Sequence, residues 1–487
     1  MSDAELILVG GALLAVGIAA ALVADRVRVP GLLLFLALGM LVGADGLGGI
    51  EFDDVELTRT LGTIGLILIL FEGGLSAGWG AIRPVIRAAL SLAIVGTLLT
   101  ALIAGAAAVW LFDLGWLEGL IVGSAVAATD SAAIFAVLRG SRLRRRLART
   151  LEGESGMNDP IALLLVTGFI EWISNPGFGI ENMALNFVGE LSIGAIVGIA
   201  VGILAREAFK RIELPTPGLY PVASISAAAL SYGVAEVLSG SGFLAVYATA
   251  LALGTGAVPA LRTVTSFHGG LSWVAQITLF FMLGLLVAPS ALWDVALEGL
   301  ILSAILMFVA RPFAAVVASL VQRFRFRERV MLGWAGLRGA IPIWLATFPV
   351  IAGVDGSELL FNVVFFVVVT STLIQGVTFE PLARRLGLTA SRPAVPKPIV
   401  ESGVIQRLGG DVLAYRVEPG DAVAGHMIKE LGLPRQALVN VIVRGAEAIP
   451  PRGSTVIEAG DELHVLVRSE ARDRTGVLID RWQHGPI

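Results

Sequence analysis

The stretch "LEGESGMNDP", Leu151 to Pro160, sets two carboxylates, an amide and a hydroxyl beside one another, and "IALLLVTGFI" follows it without a charge. Ser155 and Asp159 are spaced i,i+4 and share one helix face; Glu154 and Asn158 share the neighbouring face in the same way. Counted from Arg149, Asp159 falls about 15 Å into the segment at helical rise, half of a ~30 Å hydrocarbon layer. A carboxylate and a hydroxyl at one depth make a hard-oxygen site suited to Na⁺ or K⁺, and the same carboxylate can take a proton instead. The competing description is a loop before a shortened span, which needs Asn158 and Asp159 at the surface.

Four further places put ionisable groups into apolar sequence, where each is costly and marks an ion or proton path by default. In "GSAVAATDSAAIFAV", Thr129 and Asp130 interrupt a span of small residues, as suits an unwound segment whose free carbonyls coordinate a cation. In a tight bundle the same pair would merely hydrogen-bond the backbone. Glu72 in "ILILFEGGLSAGWG" either completes the site, lines a cytoplasmic funnel, or snorkels to the interface. Arg311 in "LMFVARPFAAVV" and Arg338 in "GWAGLRGAIPIW" need a partner if they are deep, and Glu154 is the carboxylate without another task. The alternative for both is the cytoplasmic end of a tilted span. Gly and Pro on both sides of Arg338 predict a broken helix.

These groups need a scaffold of membrane helices. The chain is 487 residues long, 56% hydrophobic and only 15% charged, where soluble domains carry roughly 25% charged residues. It has no cysteine, so thiol chemistry is excluded, and its four histidines are scattered. Spans are predicted at 4–24, 31–48, 57–77, 86–112, 117–138, 151–172, 184–206, 216–237, 242–259, 270–288, 292–321, 329–351 and 357–384, thirteen in all. Loops such as "DRVRVP", "AIRPVIR", "RGSRLRRRLART" and "QRFRFRER" are basic, while "GADGLGGIEFDD", "ISNPGFGIEN" and "GVDGSE" contain no Lys or Arg. The positive-inside rule makes the basic set cytoplasmic, with the N-terminus outside and the C-terminus inside. The first apolar run lacks the basic leader of a signal peptide and is expected to be retained. The breaks at Thr129–Asp130 and at "GLRGAIP" fall in spans 5 and 12, equivalent members if spans 1–6 and 8–13 are inverted repeats.

At "TASRPAVPKPIV" the composition changes, and residues 389–487 contain 12 Lys+Arg and 12 Asp+Glu. The expected domains are a transmembrane part over 1–388, a Pro-rich linker over 389–400, and a small cytoplasmic α+β domain over 401–487. In the last, "VLAYRV", "LVNVIVRG", "STVIEAG" and "DELHVLVR" alternate as strands do, and "AGHMIKELGLP" predicts a short helix.

Taken together, "ATDSAA", "EGESGMNDPIA", "SGFLAVYATALALG" and "GLRGAIPI" make the membrane part resemble the monovalent cation:proton antiporters, which include bacterial NhaP proteins and animal Na⁺/H⁺ exchangers. That resemblance implies an all-α polytopic fold of thirteen helices with inverted repeats and two broken, crossing helices. It also implies a homodimer in a bacterial inner membrane, with a core domain rocking against a dimer-forming domain. Asp159 becomes the ion- and proton-binding carboxylate, with Ser155, Thr129, Asp130 and Glu72 around it and the cation held at Asp159, Ser155 and Thr129. Asn158 and Glu154 become structural partners, Glu154 pairing with Arg311, and Arg338 steadies the broken helix of span 12. An Asn-Asp pair leaves one titrating carboxylate, which in this family goes with electroneutral one-for-one exchange.

The end of the chain, from "VEPGDAVAGHMIKELGLPRQ" to "DELHVLV", resembles the TrkA C-terminal domain, a dimerising regulatory module of potassium transport. Its nucleotide-binding companion is missing, since no GxGxxG occurs, so no cofactor is implied. A small anionic nucleotide is the ligand class the resemblance suggests, with Arg416, Arg444 and Arg452 available to receive it. The expected partners are thus a second copy of the chain, the bilayer and that ligand, with no nucleic acid. The reading that follows is exchange of K⁺ or Na⁺ for H⁺ by alternating access. The alternative is a ligand-gated cation channel, for which no repeated filter loop is present. An enzyme is disfavoured because no Ser has a base partner.

Overall fold

A computed structural model describes residues 3–27, 31–130, 143–212, 214–255, 258–389, 410–445 and 447–485. The chain divides into two units, the larger made of Met1–Gly256 with Arg262–Thr389 and the smaller of Ala257–Leu261 with Ala390–Ile487. Helices follow one another through the first: α1 (Asp3–Val27), α2 (Gly31–Val42), α3 (Val55–Ile82), α4 (Ile86–Ser91), α5 (Thr97–Phe112) and α6 (Trp116–Ala127). They continue as α7 (Arg145–Ser174), α8 (Ile180–Arg211), α9 (Leu219–Val237), α10 (Gly242–Leu253), α11 (Leu261–Leu285), α12 (Ala296–Ile305) and α13 (Arg311–Ala318). The last are α14 (Phe326–Trp334), α15 (Ala340–Leu345), α16 (Thr347–Ile351) and α17 (Ser357–Arg385). Five stretches are long and apolar enough to cross a membrane: Val55–Phe112, α8, α11, Ala296–Ala318 and α17. Shorter apolar helices, α6, α10 and Ala340–Ile351 among them, complete the bundle.

Local chemistry sets the ends. Asp54 caps α3 by accepting the Leu57 N–H at 2.8 Å. Near its other end α3 kinks at Gly78, whose φ of +64° favours glycine. A Cβ there would also come within 2.8 Å of the Gly254 carbonyl oxygen. Two runs widen into single π-turns, Leu92–Gly96 between α4 and α5 and Leu306–Ala310 between α12 and α13. Where predicted and observed limits differ, glycines explain most of it. The second span stops at Val42 rather than 48, because Gly46 and Gly48 turn the chain back onto the Gly43 and Leu41 carbonyls. α10 ends at Leu253, with Gly254 closing its last turn on the Ala250 carbonyl, and not at 259. α7 begins at Arg145, six residues before the predicted 151. Residues 131–138 of the predicted 117–138 span, and the linker over 390–400, lie outside the described residues.

The smaller unit carries a four-stranded antiparallel sheet, β1 (Gly410–Arg416), β2 (Ala437–Arg444), β3 (Glu447–Ile449) and β4 (Glu462–Arg468), in the order β1-β4-β2-β3. A helix absent from the expectation, α18 (Arg472–His484), supplies the buried Trp482 to a core with Tyr415, Val423, Ile442, Leu463 and Val465. Two predictions for this unit are corrected. "STVIEAG" forms one bridge, Met427 to Val456, instead of a strand, because the chain turns at Glu458–Asp461 with Gly460 at φ +99°. The expected helix in "AGHMIKELGLP" is one 3₁₀ turn, Ile428–Glu430, bracketed by Gly425 and Gly432, both at positive φ.

Candidate cation site

Two helices stop in the interior and leave irregular backbone facing each other. α6 ends at Ala127, so Ala128, Thr129 and Asp130 are unwound, and α14 ends at Trp334, with five residues between it and the start of α15. The two breaks are sewn together: the Asp130 N–H donates to the Leu337 carbonyl at 2.9 Å. The Asp130 carboxylate accepts the Ala340 N–H at 3.1 Å, placing a negative charge on the positive end of α15. Arg338 does the reverse for α6, its Nε donating to the Val126 carbonyl at 3.1 Å, where the helix presents its negative end. Arg338 is fully buried and also donates to the Gly336 carbonyl and to Gln375 Oε1, while Thr372 donates to the Arg338 carbonyl. Gln375 and Thr372 come from α17 and carried no sequence signal.

α7 brings the opening stretch against the α6 break. Thr129 Oγ1 accepts from Asn158 Nδ2 at 2.5 Å and shares a hydrogen bond with Ser155 Oγ at 3.0 Å. All three residues are completely buried. Asp159, one turn beyond Ser155, is 5% exposed, and neither of its carboxyl oxygens has a hydrogen-bond partner among the described residues. The Asp130 carboxylate lies close enough for a charge on it to be felt at Asp159. Pro160 lies inside α7 and has no N–H to give the Gly156 carbonyl, so a backbone acceptor is spared in the same turn. Thr129 and Asp130 of the α6 break thus meet Ser155 and Asn158 of α7, one turn from a carboxylate that has no hydrogen-bond partner among the described residues.

Glu154, on the face of α7 next to that of Ser155 and Asp159, accepts from Arg311, with both side chains completely buried. The pair ties α7 to α13. Between Arg311 and Arg338, the two candidates for Glu154, the structure pairs it with Arg311. Glu72 accepts from Ser76 Oγ at 2.9 Å and lies near Glu152, which pairs with Arg149. Tyr247 of α10, which sequence reasoning passed over, lies with its ring against Gly156, where a Cβ would sit 2.3 Å from ring carbons. Its hydroxyl donates to the Glu152 carbonyl at 3.4 Å, so a phenol stands between Glu152 and Asp159. "SGFLAVYATALALG" contains it, yet nothing in the spacing singles it out.

In the smaller unit the three arginines differ. Arg444 donates from Nε and Nη2 to Asp461, both at 2.8 Å, and from Nη2 to the Val456 carbonyl at 3.0 Å; it also pairs with Glu458. It staples the turn after Val456 to β2 and is committed to the fold. Arg416 and Arg452 are exposed.

The sodium/hydrogen exchanger transmembrane family model matches residues 11–385, and the TrkA-C domain matches 412–478. The chain is 38% identical to the K(+)/H(+) antiporter NhaP2 of Shewanella oneidensis, over 97% of this chain and 83% of that protein. It is 34% identical to the K(+)/H(+) antiporter NhaP of Alkalimonas amylolytica, over 95% of this chain and 81% of that one. Both relatives are potassium/proton antiporters, which places them among transporters. The sodium proton antiporter MjNhaP1 of Methanocaldococcus jannaschii shares the fold, with a TM-score of 0.70 and 22% identity over 79% of this chain and 99% of that one. A carboxylate without a partner among the described residues beside two broken helices, a matching fold and a match over most of the length agree, and the chain belongs to the sodium/hydrogen exchanger family.

Proposed function

We propose that the protein exchanges K⁺ for H⁺ across a bacterial inner membrane, with Asp159 carrying one or the other in turn. The observation that carries this reading is the buried carboxylate of Asp159, whose two oxygens meet no donor among the described residues. A cation or a proton would supply what the protein does not. Thr129 and Ser155, bonded to each other with Ser155 one turn before Asp159, would offer oxygens to the dehydrated cation, and Asn158 holds Thr129 in place. With Glu154 paired to Arg311, one carboxylate titrates and exchange is one-for-one and electroneutral. Potassium is favoured over sodium because the relatives at 34% identity and above are potassium/proton antiporters.

The larger unit makes thirteen crossings arranged as inverted repeats, with the N-terminus outside and the C-terminal domain in the cytoplasm. The breaks after α6 and after α14, and the π-turns before α5 and before α13, fall at corresponding places in the two halves and support that reading. The protein works as a homodimer, the α6, α7, α13 and α15 assembly moving against α3, α8, α9 and α10. The C-terminal domain regulates exchange, and a small anionic nucleotide would meet Arg416 and Arg452. The test is exchange in proteoliposomes under a pH gradient with K⁺, Na⁺ and Li⁺, for the unaltered chain and for Asp159→Asn. The variant should fold and exchange nothing; near-normal exchange would remove Asp159 from the role.

A further inference from the structure

A cavity of about 220 Å³ opens near the ends of α3, α7 and α16, lined by Arg59, Thr167, Glu171 and Phe348 among others. Two ridges lead to it from the cation site. Along α7, Asp159, Leu163, Thr167 and Glu171 follow one another at i,i+4 spacing, so one helix face runs about 18 Å from the site to the cavity wall. On the broken-helix side, Ala340 bonds Asp130, Trp344 comes one turn later, and Phe348 one turn after that on the cavity wall. Trp344 therefore stands at a depth between site and cavity. It is buried, its Nε1 donates to the Arg59 carbonyl at 3.2 Å, and its ring meets Phe243 and Phe348 edge-on, at 5.7 and 4.8 Å. It also fills a notch at Gly62 of α3, where a Cβ would lie 2.4 Å from the indole Cδ1. Indole, notch and carbonyl lock the moving half-helix to α3.

We propose that the cation passes between Asp159 and the outside along the Leu163–Thr167–Glu171 ridge, and that Trp344 seated in the Gly62 notch is the seal that closes this route. The proposal rests on the exchange reading of Asp159 and on the basic loops being cytoplasmic, which puts Arg59 and Glu171 at the outer face. Thr167 offers a hydroxyl and Glu171 a carboxylate, a stepped set of oxygens for a monovalent cation shedding water. For the site to open outward, Trp344 must leave Gly62 and give up its bond to the Arg59 carbonyl.

The chain has no cysteine, so each introduced thiol is its only one. Thr167→Cys and Leu163→Cys are treated with a charged, membrane-impermeant methanethiosulfonate from either side of oriented vesicles. Thr167→Cys should react from the outer side, and Leu163→Cys hardly at all. Adding Trp344→Ala to Leu163→Cys should raise its outer-side reaction several-fold, and Gly62→Ala, which expels the indole without deleting it, should do the same. Equal Leu163→Cys rates with and without both changes, in folded protein, would overturn the seal; reaction of Thr167→Cys only from the basic-loop side would overturn the route. Labelling reads access and not flux, so a failed route is distinguishable from a failed site, which shows as exchange surviving Asp159→Asn.

Discussion

Asp130 and Gly339 occupy one small space: a Cβ built on Gly339 would lie 1.6 Å from Asp130 Oδ2. The carboxylate that caps α15 fits because residue 339 has no side chain. Gly339→Ala should push it off the Ala340 N–H and cost about 1–3 kcal/mol as overpacking does. Because Asp130 also faces Asp159, exchange should fall much further than the melting temperature. Normal exchange by a stably folded Gly339→Ala would show that the cap is dispensable.

The Glu154–Arg311 pair is buried on both sides. Removing one partner strands the other, at about 3–5 kcal/mol. Glu154→Gln and Arg311→Met should each lower thermal stability in detergent, and the double variant should lose less than the sum. Strict additivity would mean that the two charges do not support each other.

Arg444 and Asp461 set an acid limit for the C-terminal domain. Burial alone would raise the Asp461 carboxyl, but the Arg444 guanidinium and the Glu458 N–H hold it below its ordinary value. A carboxyl depressed on folding stabilises above its unfolded value, near 4, and that contribution fades as pH falls through the folded value. Arg444→Ala should cost roughly 1–3 kcal/mol at neutral pH by leaving the buried Asp461 without its main partner. The penalty should shrink below about pH 4. Urea unfolding of residues 401–487, followed by the fluorescence of their single tryptophan, Trp482, measures both.

Much of the site was legible because its charges are local and out of place. Asp159 and Ser155 declare themselves by spacing within one apolar helix, and Thr129, Asp130 and Arg338 by interrupting others. What was not legible comes from distant residues of ordinary type. Gln375 holds Arg338 from 37 positions away, and Tyr247 reaches the Glu152 carbonyl across 95. A glutamine or tyrosine in a transmembrane run has no period to betray its partner. Gly62 and Gly156 matter only because of the rings that lie on them. The strand predicted at "STVIEAG" failed for the opposite reason: its alternation was real and its backbone bonds residues 425–429, but that neighbour winds into a 3₁₀ turn, so only one bridge forms.

Deleting the chain after Leu388 should leave cation preference and maximal exchange unchanged and flatten the response to pH or ligand. A domain that binds a ligand shifts a transporter only by its differential affinity for the two conformations. The measurement is the pH profile of exchange in proteoliposomes for full-length and truncated protein; a folded truncation with no flux would make the domain part of the transport machinery.

The bare oxygens of Asp159 also bear on thrift. An ionised carboxylate with no donor and little water costs several kcal/mol to keep buried, and a proton or a cation removes that penalty. The unloaded carrier is then the high-energy form, and it is the form that would have to cross for ions to slip through singly. On the exchange reading proposed above, leaving Asp159 without a protein donor would make idle strokes rare and keep the cell's proton gradient from leaking away through the chain.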